Sequence, residues 1–170
     1  MKKILYFSVL AIAGFANAQV AIGKQTISSN SVSLEFGSDN KGLVLPYVTS
    51  TTDVVTNGVV NGTLVFDSTD KKVKLRANNA WKDLSVDTTG KVDTSIQDTK
   101  AEKANAKVVI GPDGATNTTP GILVLSDPTK AMVLPKVASP HLNIVNPAPG
   151  MMVYDTTKRQ LAVFNGNVWT

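Results

Sequence analysis

The chain is predicted to be mainly β: two homologous small units, each with a short apolar strand, a one-to-two-turn helix and a three-stranded antiparallel meander. Three observations predict this. A long internal repeat runs through the chain. Each copy of the repeat ends in a stretch with period-two alternation, the mark of strands with one covered face. The composition is rich in Val and Thr, which favour strands, and in Asn, Asp and Gly, which favour the turns between them.

The repeat carries the domain organisation. "GLVLPYVTS" (Gly42–Ser50) and "AMVLPKVAS" (Ala131–Ser139) share a V-L-P core, with Pro46 and Pro135 lying 89 residues apart. "GTLVFDSTDKKVKLRANNAWK" (Gly62–Lys82) returns as "GMMVYDTTKRQLAVFNGNVWT" (Gly150–Thr170) at an offset of 88, which also relates Trp81 to Trp169. "QVAIG" (Gln19–Gly23) matches "KVVIG" (Lys107–Gly111) at 88, and "SLEF" (Ser33–Phe36) matches "ILVL" (Ile122–Leu125) at 89. Chance does not produce so many matches in one order. The expected divisions are a signal peptide at 1–18, repeat unit 1 at 19–87, a polar linker at 88–106 and repeat unit 2 at 107–170.

The signal peptide rests on "MKKILYFSVLAIAGFANA". Lys2 and Lys3 precede an apolar run from Ile4 to Phe15, and Ala16-Asn17-Ala18 is a small-x-small cleavage site. The run is too short for a comfortable membrane span, which needs about 20 apolar residues. No Cys follows the boundary, so no lipid anchor is expected. The expected location is therefore exported: periplasm, outer surface or extracellular. Without the signal, 15 basic residues face 13 acidic ones, a balance of +2. That is too small to argue for nucleic acid or for an anionic membrane. The chain has no cysteine, so an exported form must be held by packing, strand pairing or association.

Each element follows from local residues. "VAIG" and "VVIG" are short strands closed by Gly. "GPDGATNTTPG" (Gly111–Gly121) is a turn region. "GLVLP" and "AMVLP" read as strands buried on both sides, each ended by a Pro that cannot donate to a ladder. Ser139 before Pro140 reads as a helix cap, and Ser50 or Thr51 plays that part in unit 1, with Asp53 in the first turn. In the meander, Leu64, Phe66, Val73 and Leu75 form the covered face, with Lys72, Lys74 and Arg76 opposite. "DSTD" and "DTTK" make the first turns. Asn165-Gly166 is the stronger two-residue hairpin signal and Asn78-Asn79 the weaker. In the linker, "IQDTKAEKANA" has helix-forming composition, and only Val92 and Ile96 are large and apolar. A meander of this size is marginal alone, so the units are expected to pack on each other or on copies from other chains.

These residues resemble a family of exported Bacteroidetes (flavobacterial) repeats. Its pattern is V-G-I-G near the mature start, N-K-G-L-L-L-P, a short Thr-rich helix, G-L-x-V-Y-[ND]-T and an N-G-x-x-W ending. Here the matching stretches are "VAIG", "NKGLVLP", "GTLVFDST", "GMMVYDTT" and "FNGNVW". Such repeats often occur in tail-fibre-like or adhesin-like surface proteins, which implies a surface or fibre-building role. The Arg of the pattern after the Pro is replaced by Tyr47 and Lys136.

The residue inventory points away from catalysis, and no cofactor is expected. His141 is the single His, and structural zinc sites want four N or S ligands. There is no G-x-S-x-G nucleophile turn. Asp67, Asp70 and Asp155 lack calcium-loop spacing and read as turn formers. The residues expected to carry packing and assembly are Leu45, Pro46, Phe66, Trp81, Leu134, Pro135, Tyr154, Phe164 and Trp169. The expectation is thus an exported, non-catalytic structural or assembly protein of the cell envelope or surface. It would self-associate or dock on a surface partner, and a fibre or filament subunit is one form of this. The alternative is an adhesin or glycan-binding module using exposed aromatics. No nucleic acid and no membrane span after signal cleavage are expected.

Overall fold

The computed structural model of the protein describes residues 19–55, 58–101, 103 and 106–170. The segment 1–18 read as a signal peptide lies outside the described residues, as do positions 102, 104 and 105 of the linker. The fold is mainly β. Unit 1 contributes β1 (Val20–Ile22), β2 (Val32–Phe36), β3 (Leu43–Val44), β4 (Tyr47–Val48), helix α1 (Thr51–Val55), β5 (Leu64–Asp67), β6 (Lys72–Ala77) and β7 (Ala80–Asp83). The linker contributes α2 (Ser95–Asp98). Unit 2 contributes β8 (Val108–Ile110), β9 (Leu123–Leu125), β10 (Ala131–Val133), β11 (Lys136–Val137), α3 (Pro140–Asn143), β12 (Met151–Asp155) and β13 (Gln160–Phe164).

The repeat is visible in the pairing. β1 runs parallel to β2, and its counterpart β8 runs parallel to β9. β4 lies parallel to β5 at Tyr47↔Phe66, and β11 lies parallel to β12 at Lys136↔Tyr154. β5, β6 and β7 form the antiparallel meander of unit 1. In unit 2 the third meander strand is reduced to a single bridge, Phe164↔Trp169, so the expected three strands become two and a bridge.

The aspartates make the turns, as the sequence suggests. One Asp67 carboxylate oxygen accepts the Thr69 and Asp70 backbone N–H groups at 3.0 and 3.1 Å, and the other accepts Thr51 N–H at 3.2 Å. In Asp155 a single carboxylate oxygen, Oδ1, accepts all three counterparts, the N–H groups of Thr157, Lys158 and Ser139. In each unit one carboxylate therefore ties a hairpin turn to the start of the short helix.

Four local expectations are corrected. The two-residue turn with both residues at positive φ is Asn78-Asn79 (φ 52° and 58°), not Asn165-Gly166. Asn165 is buried, and its side-chain oxygen accepts the Asn167 and Val168 N–H groups, which closes a longer loop. Ser139 precedes α3 in a left-handed conformation and makes no cap bond with its side chain, its hydroxyl lying 3.1 Å from that of Thr157. Ser50 does cap α1, its Oγ accepting Thr52 N–H at 3.2 Å. Lys74 does not lie on a wet face. It is buried with its ammonium paired to Asp70, 3.6 Å from Asp83 and 3.8 Å from Asp67. A long Lys stem can be buried when its head has carboxylates to meet.

The fourth correction concerns the repeated phrase itself. β3 and β10 are not strands buried on both sides within their own units. Each is short, only partly covered, and paired across to the other unit. β10 adds to β2 in parallel, with Met132↔Leu34 and Val133↔Glu35. β3 adds to β12 antiparallel, with Leu43↔Met152 and Val44↔Met151. Leu45 N–H then donates to Gly150 O at 3.2 Å.

This exchange builds a core shared by the two units. Leu45, Phe66 and Val73 of unit 1 pack with Met152 and Val163 of unit 2. Tyr47, Leu64, Leu134 and Leu161 lie against them, and so does Val92. The segment read as a polar linker thus contributes to the core. A second cluster holds Val137, Ile144, Val153 and Ala162, with Met151 and Trp169 against it. Burying a side chain the size of Phe or Leu stabilises by roughly 1.5–3 kcal/mol, so the shared core joins the units firmly.

Candidate functional site

The residues expected to carry packing and assembly fall into three places. Leu45 and Phe66 are buried in the shared core, and Leu134 packs at its margin. Pro46 and Pro135 end the repeated phrase, and their carbonyls accept Phe66 N–H and Tyr154 N–H, each at 2.9 Å. Each Pro thus starts the parallel pairing of its unit by acceptance, the one ladder function a proline retains. Tyr154, the counterpart of the fully buried Phe66, is 37% exposed.

The tryptophans differ. Trp169 is half-buried on the second cluster and stacks at a tilt on Phe164, with ring centres 5.5 Å apart. With His141, Ile144 and Lys158 these two rings line a shallow surface depression. Trp81 lies outside both clusters, with the Arg76 guanidinium 5.7 Å from its ring centre. His141 is exposed on α3. Among the described residues no group of three or more His, Cys, Asp or Glu side chains could hold a metal ion.

Sequence reasoning missed the feature with the clearest functional meaning, which is a set of strand edges. In unit 1, β2 is covered on both edges, and Val32 and Leu34 are 5% and 1% exposed. Its counterpart β9 pairs only with β8, among the described residues, and Ile122 and Leu123 are 63% and 43% exposed. The signal was present: "ILVL" replaces "SLEF", turning an edge with a Ser and a Glu into four apolar residues. An exposed apolar edge strand is a template for another chain.

Electrostatics mark turns rather than a reactive centre. Burial pushes the Asp155 carboxyl up, but the backbone N–H groups of Lys158, Thr157 and Ser139 outweigh it and hold the carboxyl below the usual range. Asp87 is held low mainly by the Thr89 hydroxyl and backbone N–H. It also accepts Asn165 Nδ2 at 2.6 Å, which ties the end of unit 1 to the last turn of unit 2.

Residues 112–170, unit 2 almost in full, match the family described as the phage tail like trimerisation region. No curated protein and no solved structure matches the chain. A mainly β chain with this match fits a structural, fibre-like, self-associating protein. No helix among the described residues is long and apolar enough to cross a membrane.

Proposed function

We propose that the protein is an exported, non-catalytic structural subunit of the cell envelope or surface that assembles with copies of itself into a trimeric, fibre-like element. One observation carries the reading, the match of unit 2 to a trimerisation region; it is supported by the apolar strand β9, which pairs only with β8 among the described residues while its unit 1 counterpart is buried. A buried counterpart shows what such a strand takes when a partner is available. Export rests on the charged start, apolar run and small-x-small site of residues 1–18. The resemblance to flavobacterial surface repeats supports an outer location.

The test combines fractionation with microscopy. Antibody labelling of intact cells, followed by electron microscopy, should show the protein outside the inner membrane and in multimeric assemblies. A protein found only in the cytoplasm, or only as single copies, would count against the reading.

The depression beside Trp169 favours one second reading, an adhesin that stacks sugars on Trp169 and Phe164. Titration of glycans against tryptophan fluorescence tests it, and silence across a broad glycan panel removes it.

A further inference from the structure

The two units meet head to tail, not face to face. Unit 1 offers the edge of β2 and the strand β3; unit 2 answers with β10 and the edge of β12. If the contact were reciprocal, β9 would hold β3 in the way β2 holds β10. Within the chain it does not: β3 pairs only with β12, and β9 pairs only with β8, among the described residues. A contact between unlike surfaces leaves its complementary surfaces unused at the two ends, and repetition then either closes a ring or runs open.

The unused surfaces can be named by the repeat offsets. In-chain, Leu34↔Met132 and Glu35↔Val133 join β2 to β10. Shifting each partner by 89 gives Leu123↔Leu43 and Val124↔Val44 for β9 and β3. The backbone directions agree. Ser126 N–H donates to Ile110 O and Ile122 O accepts Val108 N–H, so alternation turns the backbone groups of Leu123 and Leu125 to the bare edge. Leu45 N–H points at Gly150, so the groups of Val44 face away from β12. Val44 is itself 42% exposed.

The second seam repeats the agreement. In-chain, Leu45 N–H donates to Gly150 O beside Leu43↔Met152. Its equivalents are Leu134 N–H, Gly62 O and Met132↔Leu64. Gly62 and Gly150 make the same backbone bond: Gly62 N–H donates to Arg76 O at 2.8 Å, and Gly150 N–H to Phe164 O at 2.7 Å. They differ in cover, since a Cβ on Gly150 would meet Phe66 at 3.0 Å and one on Gly62 would meet nothing within 4 Å. Among the described residues, no strand occupies the edge of β5 beside Gly62 and Leu64 beyond β4.

We infer that β9 of one copy takes β3 of a second copy as a parallel strand, in the register Leu123↔Leu43 and Val124↔Val44, while β10 meets the edge of β5 of that same copy. The contact reproduces between chains the one already made within the chain. Its occupant is a second copy of this protein because only β3 carries the counterpart of the β10 phrase. With trimerisation, on which this inference rests for its stoichiometry, three chains close the head-to-tail ring.

The chain has no cysteine, so paired cysteines report the register cleanly. The Val44→Cys/Val124→Cys protein is oxidised and run on a non-reducing gel. Covalent dimers and trimers, ending at three chains, are expected. The Val44→Cys/Leu123→Cys protein is the control; its partners lie one residue out of register, on opposite faces, and should link at least several-fold less. Leu125→Pro supplies an independent readout. It removes the N–H that faces the bare edge and leaves the groups that hold β9 to β8, a place where an edge strand tolerates Pro. It should lower the assembled mass and leave the circular dichroism of the chain unchanged.

A wild-type protein that is monomeric at every concentration overturns the self-association reading. A wild-type trimer without the Val44–Val124 link, and with unchanged mass for Leu125→Pro, leaves that reading standing and overturns this interface. Links found only within single chains also overturn it. A covalent ladder that continues beyond three chains overturns closure of the ring.

Discussion

The Tyr47 hydroxyl donates to the carbonyl of Pro149 at 2.7 Å, between residues 102 positions apart in the chain. Tyr47 follows the repeated phrase of unit 1, and Pro149 precedes the first meander strand of unit 2. The ring also meets Phe66 edge-on, with centres 5.9 Å apart. Its repeat counterpart, Lys136, is exposed. The residue after the shared Pro is thus where the units divide their work. In unit 1 it locks the units together, and in unit 2 it remains at the surface.

Tyr47→Phe keeps the ring contact and removes the hydrogen bond. It should cost about 0.5–1.5 kcal/mol, read as a lower urea midpoint with an unchanged slope. Burial raises the phenol pKa above its ordinary value near 10. A proton held more tightly in the folded state contributes stability that is complete below about pH 10 and lost as pH rises through the folded pKa. The wild-type protein should therefore show a larger alkaline loss of stability than Tyr47→Phe.

Gly42→Ala should destabilise by about 1–3 kcal/mol through overpacking. A Cβ at this position would sit 2.8 Å from Met151 Sδ and 2.9 Å from Val153 Cγ1. Unit 2 has Ala131 in this place, on β10, which pairs with β2. Pairing Gly42→Ala with Met151→Ala in a double-mutant cycle should recover part of the loss.

Phe66→Ala should cost about 3–5 kcal/mol, the usual range for emptying a buried aromatic site. Phe66 is fully buried between Tyr47, Leu45 and the start of the unit 2 meander, and a Cβ on Gly150 would lie 3.0 Å from it. Thermal unfolding followed by near-ultraviolet circular dichroism would show it as a lower midpoint for both units together, since the core is shared.

Asp155 gives the acid limb. Its carboxyl is held below the ordinary value near 3.9 by three backbone N–H donors that outweigh burial. A depressed folded pKa contributes stability that is present above the unfolded pKa and lost as pH falls through the folded one. Asp155→Asn should be less stable at neutral pH and should flatten the loss of stability as pH falls below the ordinary carboxyl range, measured as the midpoint of thermal unfolding against pH.

Much of this architecture was legible in the residues. The mainly β class, the meander alternation and the Asp turns follow from patterns within ten or so residues, where local chemistry decides. The strand pairings of β3 and β10 do not. A two- or three-residue strand has no register of its own, so its partner is chosen by tertiary packing, here by Phe66, Met152 and Val163 meeting in one core. The turn at Asn165 departs from the Asn-Gly pattern for a related reason: Asp87 and two backbone N–H groups capture its side chain, which outweighs the Asn-Gly preference. For Lys74, alternation gives the face but not the carboxylates waiting there.

The central claim is that the bare strand of unit 2 is covered by another copy of the chain. Sedimentation equilibrium of the purified protein across a wide concentration range tests it most directly. The account requires a species of three chains that persists on dilution and dissociates cooperatively. A single species of one chain at every concentration would contradict it.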